Sequence, residues 1–157
     1  MGYTTDFYGE ITINKPIDIK TREFLHGLSS TRRMKRNPKI LSNILNISEK
    51  ECLEKYGKDC KHYFGCTIND KSIIKYNSPP ADQPGLWCDW CLGDDKKSIT
   101  WNKNEKFYNY IEWMSYIVKE LKSRGYTLNG KIRWAGKDYE DKGIIKVTNN
   151  IVEYIYV

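Results

Sequence analysis

The sequence predicts an α+β fold: a ferredoxin-like sandwich, with a mainly antiparallel sheet and two amphipathic helices on one of its faces. Three observations carry this. Residues 5–14 alternate with a period of two, as a strand covered on one side does. Phe107, Ile111, Met114, Val118 and Leu121 recur at helical spacing and mark a long amphipathic helix. The segments between and after them read as short strands separated by turns, which gives a β-α-β-β-α-β order with an extra C-terminal hairpin.

The elements follow in order. Phe7, Gly9, Ile11 and Ile13 share one face of the first strand, and Pro16 ends it. Asp18 is placed to cap a helix whose stripe is Thr21, Phe24, Leu25 and Leu28, fading near Ser29 and Ser30. A basic stretch, Arg32 to Lys39, comes next. Asn37-Pro38 has the form of a helix start, and Ser48 to Glu51 that of a capping box for a second short helix ending at Gly57. These two helices, at about 37–57, read as an insert in a single domain spanning 1–157. Short strands are expected at 62–67, 72–76, 86–92 and 99–101, with a Pro-rich loop over 77–85. Gly125 stops the long helix, and strands follow at 128–134, 143–148 and 151–156, the last two joined by Asn149-Asn150.

Composition narrows the function classes. The chain has 157 residues, 39% of them hydrophobic and 13% aromatic, which excludes a disordered polyelectrolyte. A net charge of +6 suits RNA, DNA, nucleotides or an acidic protein surface as partner. No apolar run has the length of a membrane span and the start is polar, so no membrane partner is expected and the location is expected to be cytoplasmic. Five cysteines in such a chain are read as free thiols.

Several segments are familiar together. They are Met1-Gly2-Tyr3-Thr4-Thr5-Asp6-Phe7; Arg32-Arg33-Met34-Lys35-Arg36; Tyr76-Asn77, Pro79-Pro80, Gln83-Pro84-Gly85-Leu86-Trp87-Cys88 and Trp90; Glu105 to Tyr110 with Glu112-Trp113; and Leu128-Asn129-Gly130. The chain resembles a family of small uncharacterised proteins from bacteria, phages and large DNA viruses. The resemblance covers most of the chain outside roughly 40–75 and brings no activity with it. With a composition rich in Ile, Asn, Lys and Tyr, it implies a viral or phage origin and hence the host cytoplasm.

The candidate chemistries are few. Cys88 and Cys91 have C-x-x-C spacing, and Cys60 with His62 would complete a zinc set. Against this, positions i and i+3 of a strand point to opposite faces, so small core residues are the stronger reading and no metal is assigned. No Gly-rich phosphate loop, nucleophile elbow or zincin motif is present, so no catalytic residue and no cofactor are assigned and an enzyme is not favoured. The remaining constellation is basic and aromatic. Arg32, Arg33, Lys35 and Arg36 would contact phosphates, Trp87 or Trp90 would stack on a base, and Asn77 and Gln83 would hydrogen-bond it. Trp113 and Trp134 are expected in the core instead. The expected function is a binding module for RNA, a nucleotide or another phosphate-bearing ligand. The alternatives are a viral or phage protein-interaction factor docking an acidic host translation or defence component, and a small nucleotide-processing enzyme whose carboxylates meet only in the fold.

Overall fold

A computed structural model describes residues 2–65 and 70–157. Part of the strand expected at 62–67 lies outside the described residues, and its described part, 62–65, is not strand. The chain divides into two compact units, one formed by 1–29 with 88–157 and the other by 30–87. The second is wider than the 37–57 insert expected within one domain, because the basic stretch and the Pro-rich loop fold with the two short helices.

The first unit is built on a six-stranded antiparallel sheet. Its strands are β1 (Thr5–Ile13), β4 (Trp90–Leu92), β5 (Ser98–Trp101), β6 (Leu128–Gly136), β7 (Lys142–Thr148) and β8 (Ile151–Tyr156), in the order β4-β5-β1-β6-β7-β8. Helix α1 (Ile19–Ser30) follows β1, and α4 (Tyr110–Ser123) lies between β5 and β6 in sequence. The four strands β4, β5, β1 and β6 with these helices supply the β-α-β-β-α-β succession, and β7–β8 is the added hairpin. The alternation expected of β1 is observed: Phe7, Ile11 and Ile13 are buried while Asp6, Tyr8, Glu10 and Thr12 are exposed. In register with them, Leu128, Ile132 and Trp134 on β6 and Ile145 and Val147 on β7 complete the covered face. Phe24, Leu25 and Leu28 of α1, with Trp113, Met114, Ile117, Val118 and Leu121 of α4, are the apolar residues that bury it. Burying each such side chain contributes roughly 1.5–3 kcal/mol.

Local chemistry sets the element ends. Asp18 Oδ1 accepts from Thr21 N at 2.7 Å, capping α1 as expected. That bond, with another from the Tyr126 hydroxyl, holds the Asp18 carboxyl below its usual range. Helix α4 starts later than the apolar spacing implied. Lys106 and Asn109 have φ of 62° and 58°, so the backbone is left-handed there and Phe107 precedes the helix. Phe107 is nevertheless buried, in an aromatic group with Phe7, Trp90 and Tyr110.

The second unit contains α2 (Pro38–Leu45), α3 (Glu49–Tyr56), a 3-10 turn at Lys58–Cys60, and a two-stranded ladder of β2 (Lys35–Arg36) with β3 (Ile73–Lys75). Asn37 caps α2 by accepting from Lys39 N and Ile40 N, and Ser48 caps α3 through Glu51 N, as the sequence predicts. Among the described residues its apolar core is small: Leu41, Cys52 and Cys60 form a cluster with Leu45, Ile47, Tyr56 and Tyr63 packed against it, and Met34 is also buried. No helix among the described residues is long and apolar enough to cross a membrane.

Candidate functional site

The expected site residues separate by depth. Within the second unit, Arg33 is 2% exposed and Arg36 is 3% exposed. Arg33 donates through Nε to Gln83 Oε1 at 3.0 Å, through Nη1 to Thr31 Oγ1 at 2.7 Å, and through Nη2 to the Lys61 carbonyl at 2.7 Å. The Tyr63 carbonyl accepts as well, and the guanidinium lies 4.7 Å from the Phe64 ring centroid. Gln83 is buried too, and its Nε2 donates to the Lys61 carbonyl. These two side chains therefore tie the 61–63 segment to the Pro-rich loop and do not face an external phosphate or base. The expected surface roles of Arg33 and Gln83 are corrected accordingly, because their polar groups are spent inside the unit.

Arg36 is corrected for the same reason. It pairs with Asp70 and donates to Ser72 Oγ at 3.0 Å. Burial alone would raise the Asp70 carboxyl, but hydrogen bonds from Ser72 and Arg36 outweigh it and hold the group below the usual carboxylate range. A carboxylate depressed in the folded state adds stability above its unfolded value of about 4, and that stability is lost as pH falls through the folded value. Asp70→Asn is thus expected to destabilise the protein by about 2 kcal/mol at neutral pH and to remove part of the fall in stability below pH about 4. Urea denaturation of both proteins across pH 2–7 checks this.

Trp90 is 1% exposed and packs edge-on against Phe7, while its Nε1 donates to the Tyr110 carbonyl at 2.8 Å. It is a core residue of the first unit, not a stacking platform. Trp87 lies outside any strand and is 47% exposed, so strand alternation does not govern it. Lys35 is part-exposed and sits 3.8 Å from Asp59.

What remains at the surface of the second unit is a compact group built on Arg32. Its Nε donates to the Tyr76 carbonyl at 3.2 Å and its Nη2 to Asn77 Oδ1 at 2.9 Å. The guanidinium carbon lies 4.0 Å from the Tyr76 ring centroid, in cation–π contact. Tyr76 is 46% exposed and Asn77 is exposed. Two backbone bonds bring the segments together: Arg33 N to the Leu86 carbonyl at 2.7 Å and Lys35 N to the Ser78 carbonyl at 2.8 Å. The first sets the backbone next to Trp87 against the arginine stretch. Tyr76 is not among the site residues expected from the sequence. The available signal was an aromatic residue opening a Pro-rich loop after a strand, without any indication of which Arg it would meet.

The other candidates are weaker. A depression of about 820 Å³ on the first unit has Tyr8, Thr100 and Trp101 in its lining, but its charged lining is Glu10, Asp94 and Asp95 against Lys103. Its net negative charge opposes a phosphate-bearing ligand. Among the described residues no group of three or more His, Cys, Asp or Glu side chains could hold a metal ion. Cys88 is buried, with its thiol directed to the Trp90 carbonyl, and Cys91 contacts Thr100 Oγ1. Burial pushes the Cys60 thiol up to about 12 and raises that of Cys91, the opposite direction from a reactive thiolate. Comparison of the chain with protein-family models, curated proteins and solved structures gives no match.

Proposed function

We propose that the chain is a binding module for RNA or a nucleotide, in which Arg32 meets the phosphate and Tyr76, with Trp87, offers a stacking surface to a base. The reading rests on one observation above the others. The Arg32 guanidinium is already seated 4.0 Å over an exposed tyrosine ring and held there by the Tyr76 carbonyl and Asn77. A guanidinium fixed in this way keeps further N–H donors for a phosphate oxygen and loses little side-chain entropy on binding. Splayed bases of single-stranded RNA stack on aromatic and Arg planes, each stack contributing about 1–3 kcal/mol. A net charge of +6 supports approach of a polyanion.

The test is a fluorescence-anisotropy titration with a labelled single-stranded RNA of about ten nucleotides. Affinity is expected to fall steeply between about 50 and 200 mM salt as counterions are released. Arg32→Ala is expected to weaken binding at least about tenfold, and Arg32→Lys, which keeps the charge but loses the planar stack, to recover only part of it. Absence of binding by RNA and by mononucleotides at low salt contradicts the reading.

A further inference from the structure

The sheet of the first unit ends on a strand without the Lys, Pro or bulge that commonly guard an edge against pairing. β8 reads Ile151-Val152-Glu153-Tyr154-Ile155-Tyr156, is the last strand in the sheet order and, among the described residues, has a strand neighbour on one side only, β7. Edge strands are ordinarily blunted by Lys, Pro, a bulge or shortness. β8 has no Lys and no Pro, and it pairs with β7 in unbroken register from Thr148↔Ile151 to Gly143↔Tyr156. Ile151, Tyr154, Ile155 and Tyr156 are all more than half exposed, so apolar side chains stand uncovered on both faces of the strand.

The backbone pattern fixes which groups look outward. Val157 N donates to the Lys142 carbonyl at 2.9 Å, so that residue faces β7. In an antiparallel ladder, residues alternate between bonding the neighbour and pointing away from it. Ile151, Glu153 and Ile155 therefore bond β7, and the N–H and C=O groups of Val152, Tyr154 and Tyr156 point to the free edge. The outward set has Tyr154 at its centre. A two-fold axis there sets Tyr154 against Tyr154 of a second copy, and Val152 against Tyr156, each pair exchanging both backbone bonds.

Charge disfavours one of the neighbouring registers. Moving the pairing by one residue per copy toward the strand start would set Glu153 against Glu153. Centred on Tyr154, each Glu153 instead meets Ile155 of the other copy while remaining opposite Lys146 of its own β7. In this register Tyr154 meets Tyr154 and Val152 meets Tyr156 on one face while Ile151 meets Val157 on the other, so exposed apolar side chains of the two copies flank one another. We infer that β8 is a self-association edge, which joins two copies of this chain into one continuous antiparallel sheet through Tyr154-centred pairing.

Sedimentation velocity over a range of concentrations tests this, with three variants. The unaltered chain is expected to pass reversibly from monomer to dimer. Tyr154→Pro removes an outward N–H without touching a bond to β7, and Tyr154→Lys sets like charges face to face; both are expected to remain monomeric with an unchanged circular dichroism spectrum. Tyr154→Cys is expected to form an intermolecular disulfide on mild oxidation, since a hydrogen-bonded pair has Cα atoms about 5.5 Å apart. Ile151→Cys is expected to form none, its two copies lying about 20 Å apart. A chain that stays monomeric at every concentration, or a Tyr154→Lys variant that dimerises like the unaltered chain, overturns the inference.

Discussion

Arg33→Met is expected to destabilise the second unit by about 3–5 kcal/mol, the cost of losing several buried, charge-assisted hydrogen bonds at once. The reason lies in how little apolar material that unit contains. Among the described residues Leu41, Cys52 and Cys60, with Met34 also buried, are a thin core for residues 30–87. Polar bonding from buried Arg33 compensates by joining segments far apart in sequence: Thr31, the Lys61 and Tyr63 carbonyls, and Gln83. Methionine fills similar space but supplies no donor, so the bonds to Gln83 Oε1 and Thr31 Oγ1 are lost. Arg33→Lys is expected to recover only a fraction, because an ammonium cannot span the same set of acceptors. Hydrogen exchange resolved by peptide checks this. Loss of protection should concentrate in 30–87, and equal protection in Arg33→Met and the unaltered chain would refute the assigned role.

Gly130→Ala is expected to cost about 3 kcal/mol in the first unit, through strain and overpacking together. Gly130 has φ of +151°, and a Cβ there would lie 2.5 Å from the Glu10 carbonyl oxygen and 2.9 Å from Ile11 Cα. Backbone cannot step aside as a side chain can. Gly9 repeats the arrangement from the other strand, with φ of +110° and the Lys131 carbonyl oxygen 2.5 Å from its would-be Cβ. The two glycines let β1 and β6 approach closely along a ladder that runs from Thr5↔Gly136 to Ile13↔Leu128. Gly125→Ala is the control. Its φ is +90°, but the nearest atom is Lys15 Nζ at 3.8 Å, so only conformational strain of about 1 kcal/mol is expected. Thermal denaturation of the pair separates the two effects; a Gly125→Ala loss equal to that of Gly130→Ala would contradict the close-approach account.

Much of the architecture was legible because its signals are local. Alternation in β1, the Asn37 and Ser48 caps, and the β7–β8 hairpin all depend on neighbours within a few residues, and all are observed. The start of α4 is not legible from apolar spacing, which ignores backbone hand: left-handed Lys106 and Asn109 delay the helix until Tyr110. The basic stretch was harder. Arg32 and Arg33 are adjacent and chemically identical, yet one stays at the surface over Tyr76 and the other is buried among carbonyls near residues 61–63. Little that is local distinguishes them: Thr31 apart, the partners lie 28–50 residues away and three of them are main-chain oxygens. Trp87 and Trp90 separate for a related reason: Trp90 joins a ring cluster assembled from β1, β4 and the segment before α4, which no single stretch reveals.

The proposed binding surface is a claim about place as much as about affinity, so the most direct measurement maps contact. Photo-crosslinking of a 5-bromouridine RNA to the intact chain, followed by peptide mass spectrometry, reads which side chains lie against a base. Crosslinks at Tyr76 and Trp87, lost in Arg32→Ala, are the expected result. Crosslinks confined to the open sheet face around Tyr8, or unchanged in Arg32→Ala, would contradict the assignment of the ligand to Arg32 and Tyr76.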